Sequence, residues 1–367
     1  MSKKIPWAQP EIDKSELNQL LDSFNVGWLT MGPKVKKFER MMANYVGAPH
    51  AVAVINGTVA LDLSLKCLGI VPGDEVVVPA MTYFATASAV SYQHAVPVFV
   101  DIEPTSFNLD PNKIEEAISP KCKAIVFIDY GGNPADIEGL KAVAQKHNLL
   151  LLQDAAQSLG GIYRNKLLGA QTPISTMSFH MAKVMTTVEG GMIFTHSEEV
   201  AEELRVRRNQ GESAKYIHSH LGTNARMMDL CAAIGLAQFE KLPWMLRERQ
   251  RVAKRYDAHF KNHDKIQVTC CHQLDSANAY FFYPVMVDSR NVVVDKLKEK
   301  GIDTRIAYPM PVYKQDLYRK NGREAYRKMS CPVAEQFTSR VINLPIFPSL
   351  RDDQVDIVAS ELLKALA

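Results

Sequence analysis

From residue 51 onward the chain alternates short, solidly apolar runs with segments whose apolar residues recur at helical spacing. The runs cover residues 51–55, 75–79, 97–100, 124–128 and 149–152, and helix-period segments such as 59–68, 112–118 and 136–147 separate most of them. Apolar runs of this kind suit strands buried on both faces, with the intervening helices covering those faces. The pattern therefore predicts an α/β fold on a mostly parallel sheet. Two later runs, 174–179 and 192–195, extend that sheet to about seven strands.

Ahead of the sheet, residues 11–47 read as two helices joined by Gly27-Trp28-Leu29-Thr30-Met31-Gly32-Pro33. Past Met227 the pattern turns helical through 232–242 and 248–260, then gives a strand at 280–287 and helices at 293–300 and 352–366. A chain of 367 residues outgrows one ordinary core. We expect a large domain over residues 1–245 and a smaller α+β domain over 246–367.

Composition narrows the class. A hydrophobic fraction of 47% and a charged fraction of 23% are those of a globular protein, and a net charge of +3 argues against a dedicated nucleic-acid binder. The basic clusters at 205–208 and 247–255 are interleaved with acids and read as solvated helix faces. No signal segment opens the sequence and no window reaches about 18 apolar residues, so a cytoplasmic enzyme without membrane contact is expected. Six cysteines are scattered without disulfide or ligand spacing; only Cys270-Cys271-His272 cluster. Adjacent strand residues point to opposite faces, so no metal site is expected there.

Candidate chemistry sits where strands end. The run 51–55 passes through Asn56-Gly57-Thr58 directly into a helix, and a tight turn of this kind aims free amides and the positive helix end at a phosphate. Gly57 allows close approach, Thr58 adds a hydroxyl and Val59 an amide; as an ordinary helix cap, Asn56 or Thr58 serves equally well. The strand at 75–79 leads to Tyr83-Phe84, either of which can lie against a flat ring or pack in the core. No Gly-x-Gly-x-x-Gly or Gly-Lys-Ser/Thr loop is present, which removes the dinucleotide and Walker-type uses of such a fold. The run 149–152 ends in Gln153-Asp154-Ala155-Ala156-Gln157, and Ser178-Phe179-His180-Met181-Ala182-Lys183 leads to Glu189-Gly190-Gly191. An acid after a buried strand and a lysine in a tight loop are the pair that pyridoxal phosphate requires. The lysine binds the cofactor covalently, and the acid keeps its ring nitrogen protonated.

In order along the chain, these motifs resemble the sugar aminotransferases of the DegT/DnrJ/EryC1/StrS family, which have the aspartate aminotransferase (type I) fold of pyridoxal-phosphate enzymes. The likeness adds Gly27-Trp28-Leu29-Thr30, Asn224-Ala225-Arg226-Met227, Ala232-Ala233-Ile234-Gly235, Leu344-Pro345 and Pro348-Ser349-Leu350. The resemblance implies that Lys183 holds pyridoxal 5'-phosphate and moves the substrate proton, and that Asp154 pairs with the ring nitrogen. It places Gln157 near the ring hydroxyl, Tyr83 over one ring face, and Gly57, Thr58 and Ser178 on the phosphate. Asn224 is implied to reach the phosphate of a neighbouring subunit, making a homodimer with shared sites. The donor implied is L-glutamate and the acceptor a nucleotide-linked keto-sugar. A cyclitol (scyllo-inosose type) aminotransferase and a non-catalytic regulatory protein are the alternatives. Gln157 is similar to members acting at carbon 3 or on cyclitols. Val188 replaces a usual glycine and Tyr313 a frequent histidine, whereas dehydratase relatives carry histidine at the place of Lys183.

Overall fold

The computed structural model describes residues 4–260, 263–269, 274–320, 322 and 325–367. Two helices come first, α1 (Lys14–Val26) and α2 (Pro33–Val46). Asp13 and Glu16 form a reciprocal cap on α1. The first turn of α2 is capped from a distance: Asp229 accepts from the amides of Gly32, Lys34 and Val35 at 2.9, 3.1 and 2.9 Å.

The alternation then runs β1 (His50–Val54), α3 (Gly57–Cys67), β2 (Glu75–Pro79), α4 (Phe84–Tyr92), β3 (Val96–Val100), β4 (Cys122–Ile128), α5 (Ile137–Lys146) and β5 (Leu150–Asp154). A small hairpin, β6 (Ile162–Tyr163) and β7 (Lys166–Leu167), precedes β8 (Ile174–Ser178), β9 (Gly191–Thr195) and α6 (Glu198–Arg208). A second hairpin, β10 (Glu212–Ala214) and β11 (Ile217–His218), leads to the long α7 (Asp229–Phe260). The remainder is β12 (Gln267–Val268), β13 (Tyr283–Met286), α8 (Arg290–Glu299), α9 (Asp316–Lys320), β14 (Arg327–Lys328), α10 (Pro332–Arg340), β15 (Val341–Leu344) and α11 (Asp352–Leu366).

The main sheet has the order β1-β9-β8-β5-β4-β2-β3-β14, and only β9 runs against the others. It therefore holds eight strands where about seven were expected. The extra one, β14, is two charged residues long and carries no apolar pattern; it joins through its backbone on the open edge of β3. Where helical spacing suggested a helix at 112–118, the chain makes two separate 3₁₀ turns. The helical runs expected on either side of residue 245 are one helix of 32 residues that passes through Pro243.

Strand residues alternate between two apolar layers. Val76, Val78, Phe99, Ala124, Val126 and Ile128 join α2, α3 and α4 on one face. Val77, Val98, Val100, Ile125 and Phe127 join Ile137 and Leu140 of α5 on the other. A separate cluster gathers Val252 and Tyr256 of α7, Val285, Ile342 and residues of α8 and α11 around the sheet β12-β13-β15. Ile5 crosses from the start of the chain to bridge Ile302 in that cluster.

Two arginines correct the reading of the basic runs. Arg208 is buried and donates to Glu39 Oε1 at 2.5 Å and Ala53 O at 2.6 Å. Arg249 is buried and donates to the carbonyls of Tyr280 and Ile346 at 3.0 and 3.2 Å. Charge patterning along a helix shows which residues are basic but not where a remote carbonyl waits for one. Cys270, Cys271 and His272 lie outside the described residues. Among the described residues no helix is long and apolar enough to cross a membrane.

Candidate active site

Beyond the carboxyl ends of β1, β5 and β8 lies a cavity of about 490 Å³. Its wall includes Gly57, Thr58, Tyr83, Asp154, Gln157, Ser178 and Lys183, which is where open α/β sheets place ligands. Seven of the eight sequence-predicted site residues therefore meet in one place.

One end is a cradle formed by the start of α3 and Ser178. Asn56 caps α3, its side chain accepting from the Val59 amide at 2.9 Å. That bond uses the amide of Val59, leaving those of Gly57 and Thr58 at the helix start. A Cβ on Gly57 would stand 2.9 Å from the Cβ of Ser178, so only glycine lets the Ser178 hydroxyl sit beside those amides. Gly191 is fixed in the same way, since a Cβ there would press to 2.4 Å on the Asn56 carbonyl.

At the other end Asp154 is buried. It accepts from Thr86 Oγ1 at 2.7 Å and from the Ala156 amide at 3.2 Å, and Thr86 is itself bonded to Thr82 at 2.7 Å. Burial raises the Asp154 carboxyl above its ordinary value, against these hydrogen bonds and the nearby Lys183. Lys183 occupies a tight turn in which its amide donates to His180 O at 2.9 Å. Its Nζ lies 4.5 Å from the Phe281 ring centroid. Burial lowers its pKa to about 8, with Asp154 pulling the other way. A carboxylate and an amine thus share one cavity, each at a cost for its charge.

The full-length comparisons agree with this arrangement. The family model described as the DegT/DnrJ/EryC1/StrS aminotransferase family matches residues 10–363. The chain belongs to that family. GDP-perosamine synthase of Caulobacter vibrioides is 35% identical over 99% of this chain and 98% of its own. UDP-2-acetamido-2-deoxy-3-oxo-D-glucuronate aminotransferase of Pseudomonas aeruginosa is 35% identical over 92% of each. Among solved structures, the PLP form of Spr1654 from Streptococcus pneumoniae superposes with a TM-score of 0.93 at 28% identity over the whole of both chains.

As a DegT/DnrJ/EryC1/StrS aminotransferase the protein is a pyridoxal-phosphate enzyme, and the cavity fits that group. It offers amides and a hydroxyl at one end, a buried carboxylate at the other, and an amine between aromatic walls. Tyr83 is 60% exposed, with its ring 6.1 Å from that of Tyr308, so it is free to lie over a bound ring. His180 and Glu189 stand at the cavity mouth, Nε2 and Oε1 3.7 Å apart. Asn224 is the residue outside: it is exposed, bridges Asn209 and does not line the cavity of its own chain. Tyr313 also lies away from it, buried against Phe99 and donating to Glu335 at 2.7 Å. Thr86, Phe281, Phe282 and Tyr308 were not singled out in the sequence. A threonine in a helix and aromatic residues in an apolar run give no local sign of a site.

Proposed function

We propose that the chain transfers the amino group of L-glutamate to the carbonyl of a nucleotide-linked keto-sugar, as a cytoplasmic homodimer. One juxtaposition carries this reading: Lys183 Nζ and the Asp154 carboxylate face one cavity with the Gly57-Thr58-Ser178 cradle. One relative is named for a GDP-linked sugar and another for a UDP-linked one, which supports a nucleotide sugar as acceptor. The apolar third cluster around β13 and β15 supports a small domain that begins near residue 245.

When bound, pyridoxal phosphate supplies a carbonyl that takes up the amino group and a ring that accepts electrons. Gly57, Thr58 and Ser178 hold its phosphate, while Asp154, fixed by Thr86 and the Ala156 amide, holds positive charge on its ring nitrogen. Tyr83 covers one ring face. Lys183 would anchor the group covalently, and its free amine would take a proton from the donor's α-carbon and later deliver one to the acceptor. Its lowered pKa suits both roles near neutral pH. Phe281, Phe282 and Leu61 keep water from the reacting atoms. The exposure of Asn224, away from the cavity of its own chain, supports a role at the phosphate of a second copy.

The test is spectroscopic. The loaded enzyme should lose its visible cofactor band on addition of L-glutamate, release 2-oxoglutarate in equal amount, and recover the band on addition of a nucleotide-linked keto-sugar. A band indifferent to glutamate would displace that donor. Recovery with scyllo-inosose alone would replace the acceptor with a cyclitol.

A further inference from the structure

The turn Tyr130-Gly131-Gly132 after β4 ties together three parts of the cavity wall. The Tyr130 hydroxyl donates to Ala307 O at 2.5 Å, fixing the backbone just before Tyr308. The Gly131 amide donates to Gln157 Oε1 at 2.7 Å, and the Phe282 amide donates to Gly131 O at 3.1 Å. A backbone N–H can only donate, so the orientation of the Gln157 amide is settled. Its Oε1 faces Gly131, and its Nε2 donates to the Tyr308 hydroxyl oxygen at 3.2 Å. Tyr308 therefore accepts from Gln157 and keeps its own hydroxyl hydrogen for another partner. Among the described residues that hydrogen has no acceptor, although the side chain lines the cavity.

We infer that Tyr308 is a further binding residue, its hydroxyl pairing with Gln157 Nε2 as two adjacent donors for the ring oxygen of the cofactor. The inference rests on the cofactor reading above and adds a residue to it. Two fixed donors side by side suit an oxygen that carries negative charge and has two lone pairs. Burial holds the Tyr308 hydroxyl well above its ordinary pKa, so it stays a donor through the working range. Tyr130 and Gly131 are positioning residues, since they hold the two donors without entering the cavity.

The test follows the absorbance of the loaded, substrate-free enzyme against pH in the parent, Tyr308→Phe and Gln157→Glu. A donor at the ring oxygen stabilises negative charge there, so its loss raises the pH at which the proton held at that oxygen departs. Tyr308→Phe should keep the band and raise the midpoint by ~1 pH unit, the scale of one charge-assisted hydrogen bond. Gln157→Glu turns a donor into an acceptor beside the same oxygen and should raise it further. Unchanged midpoints in both variants overturn the inference, and a rise in Gln157→Glu alone removes Tyr308 from the site. Cofactor affinity is the second readout. A Kd for pyridoxal phosphate raised roughly tenfold in Tyr308→Phe, with the unfolding midpoint of the cofactor-free chain unaltered, supports binding; a matching loss of that midpoint makes Tyr308 structural and overturns it. A parent with no band after loading defeats the cofactor reading itself, and this inference with it.

Discussion

Burial opposes charge on both Lys183 and Asp154, and for the lysine this has a measurable result. With a pKa of about 8 in the cofactor-free chain, its neutral fraction rises from roughly a tenth at pH 7 to nine-tenths at pH 9. Only the neutral amine attacks a carbonyl, so the rate of cofactor uptake should rise about tenfold over that range, with its midpoint near 8. Stopped-flow absorbance checks the slope. Lys183→Ala should fold yet give neither the band nor turnover. Gly57, Asp154, Ser178 and Lys183 were legible as cavity residues because each closes or follows a run that marks a strand end. Thr86 and Tyr308 were not, because what ties them to the cavity is a bond to a residue 68 or 151 positions away. Sequence spacing carries no information at that range.

The turn between β8 and β9 shows what one element tolerates. It is bound by the Phe179 amide to Gly190 O at 2.8 Å and by the Thr187 amide to Phe179 O at 2.9 Å. Within it Val188 sits at φ 70°, the one β-branched residue in the left-handed region among the described residues. Its side chain is half exposed, so little packing offsets the strain. Val188→Gly should therefore raise stability by about 0.5–1 kcal/mol, the relief of strain exceeding the added chain entropy. A denaturant midpoint that falls instead would show that the valine is held by contacts of its own. At this scale the large strands were legible because most carry apolar residues on both faces, and β14 was not because its pairing needs no side-chain pattern.

At the scale of the molecule, α1 packs on α7 yet also presents Leu17, Leu21 and Phe24 to the outside at helical spacing. With Asn224 exposed and off its own cavity, this face supports a shared dimer. Asn224→Ala should by itself bind the cofactor and turn over poorly, and mixing it with Lys183→Ala is the decisive trial. If Asn224 serves the partner's site, each mixed dimer holds one wild-type site, and about a quarter of all sites recover after random re-pairing. No recovery on mixing would assign Asn224 to its own chain.

The crossing of Ile5 to Ile302 and of β14 to β3 bears on how the protein is made. The apolar β3 edge has no neighbour until residues 327 and 328 have left the ribosome, and Ile5 waits for residue 302. Nascent chains thus carry an open strand edge through most of their synthesis. Termination before residue 327 leaves a species prone to aggregate, although every residue of the cavity cradle has already been made.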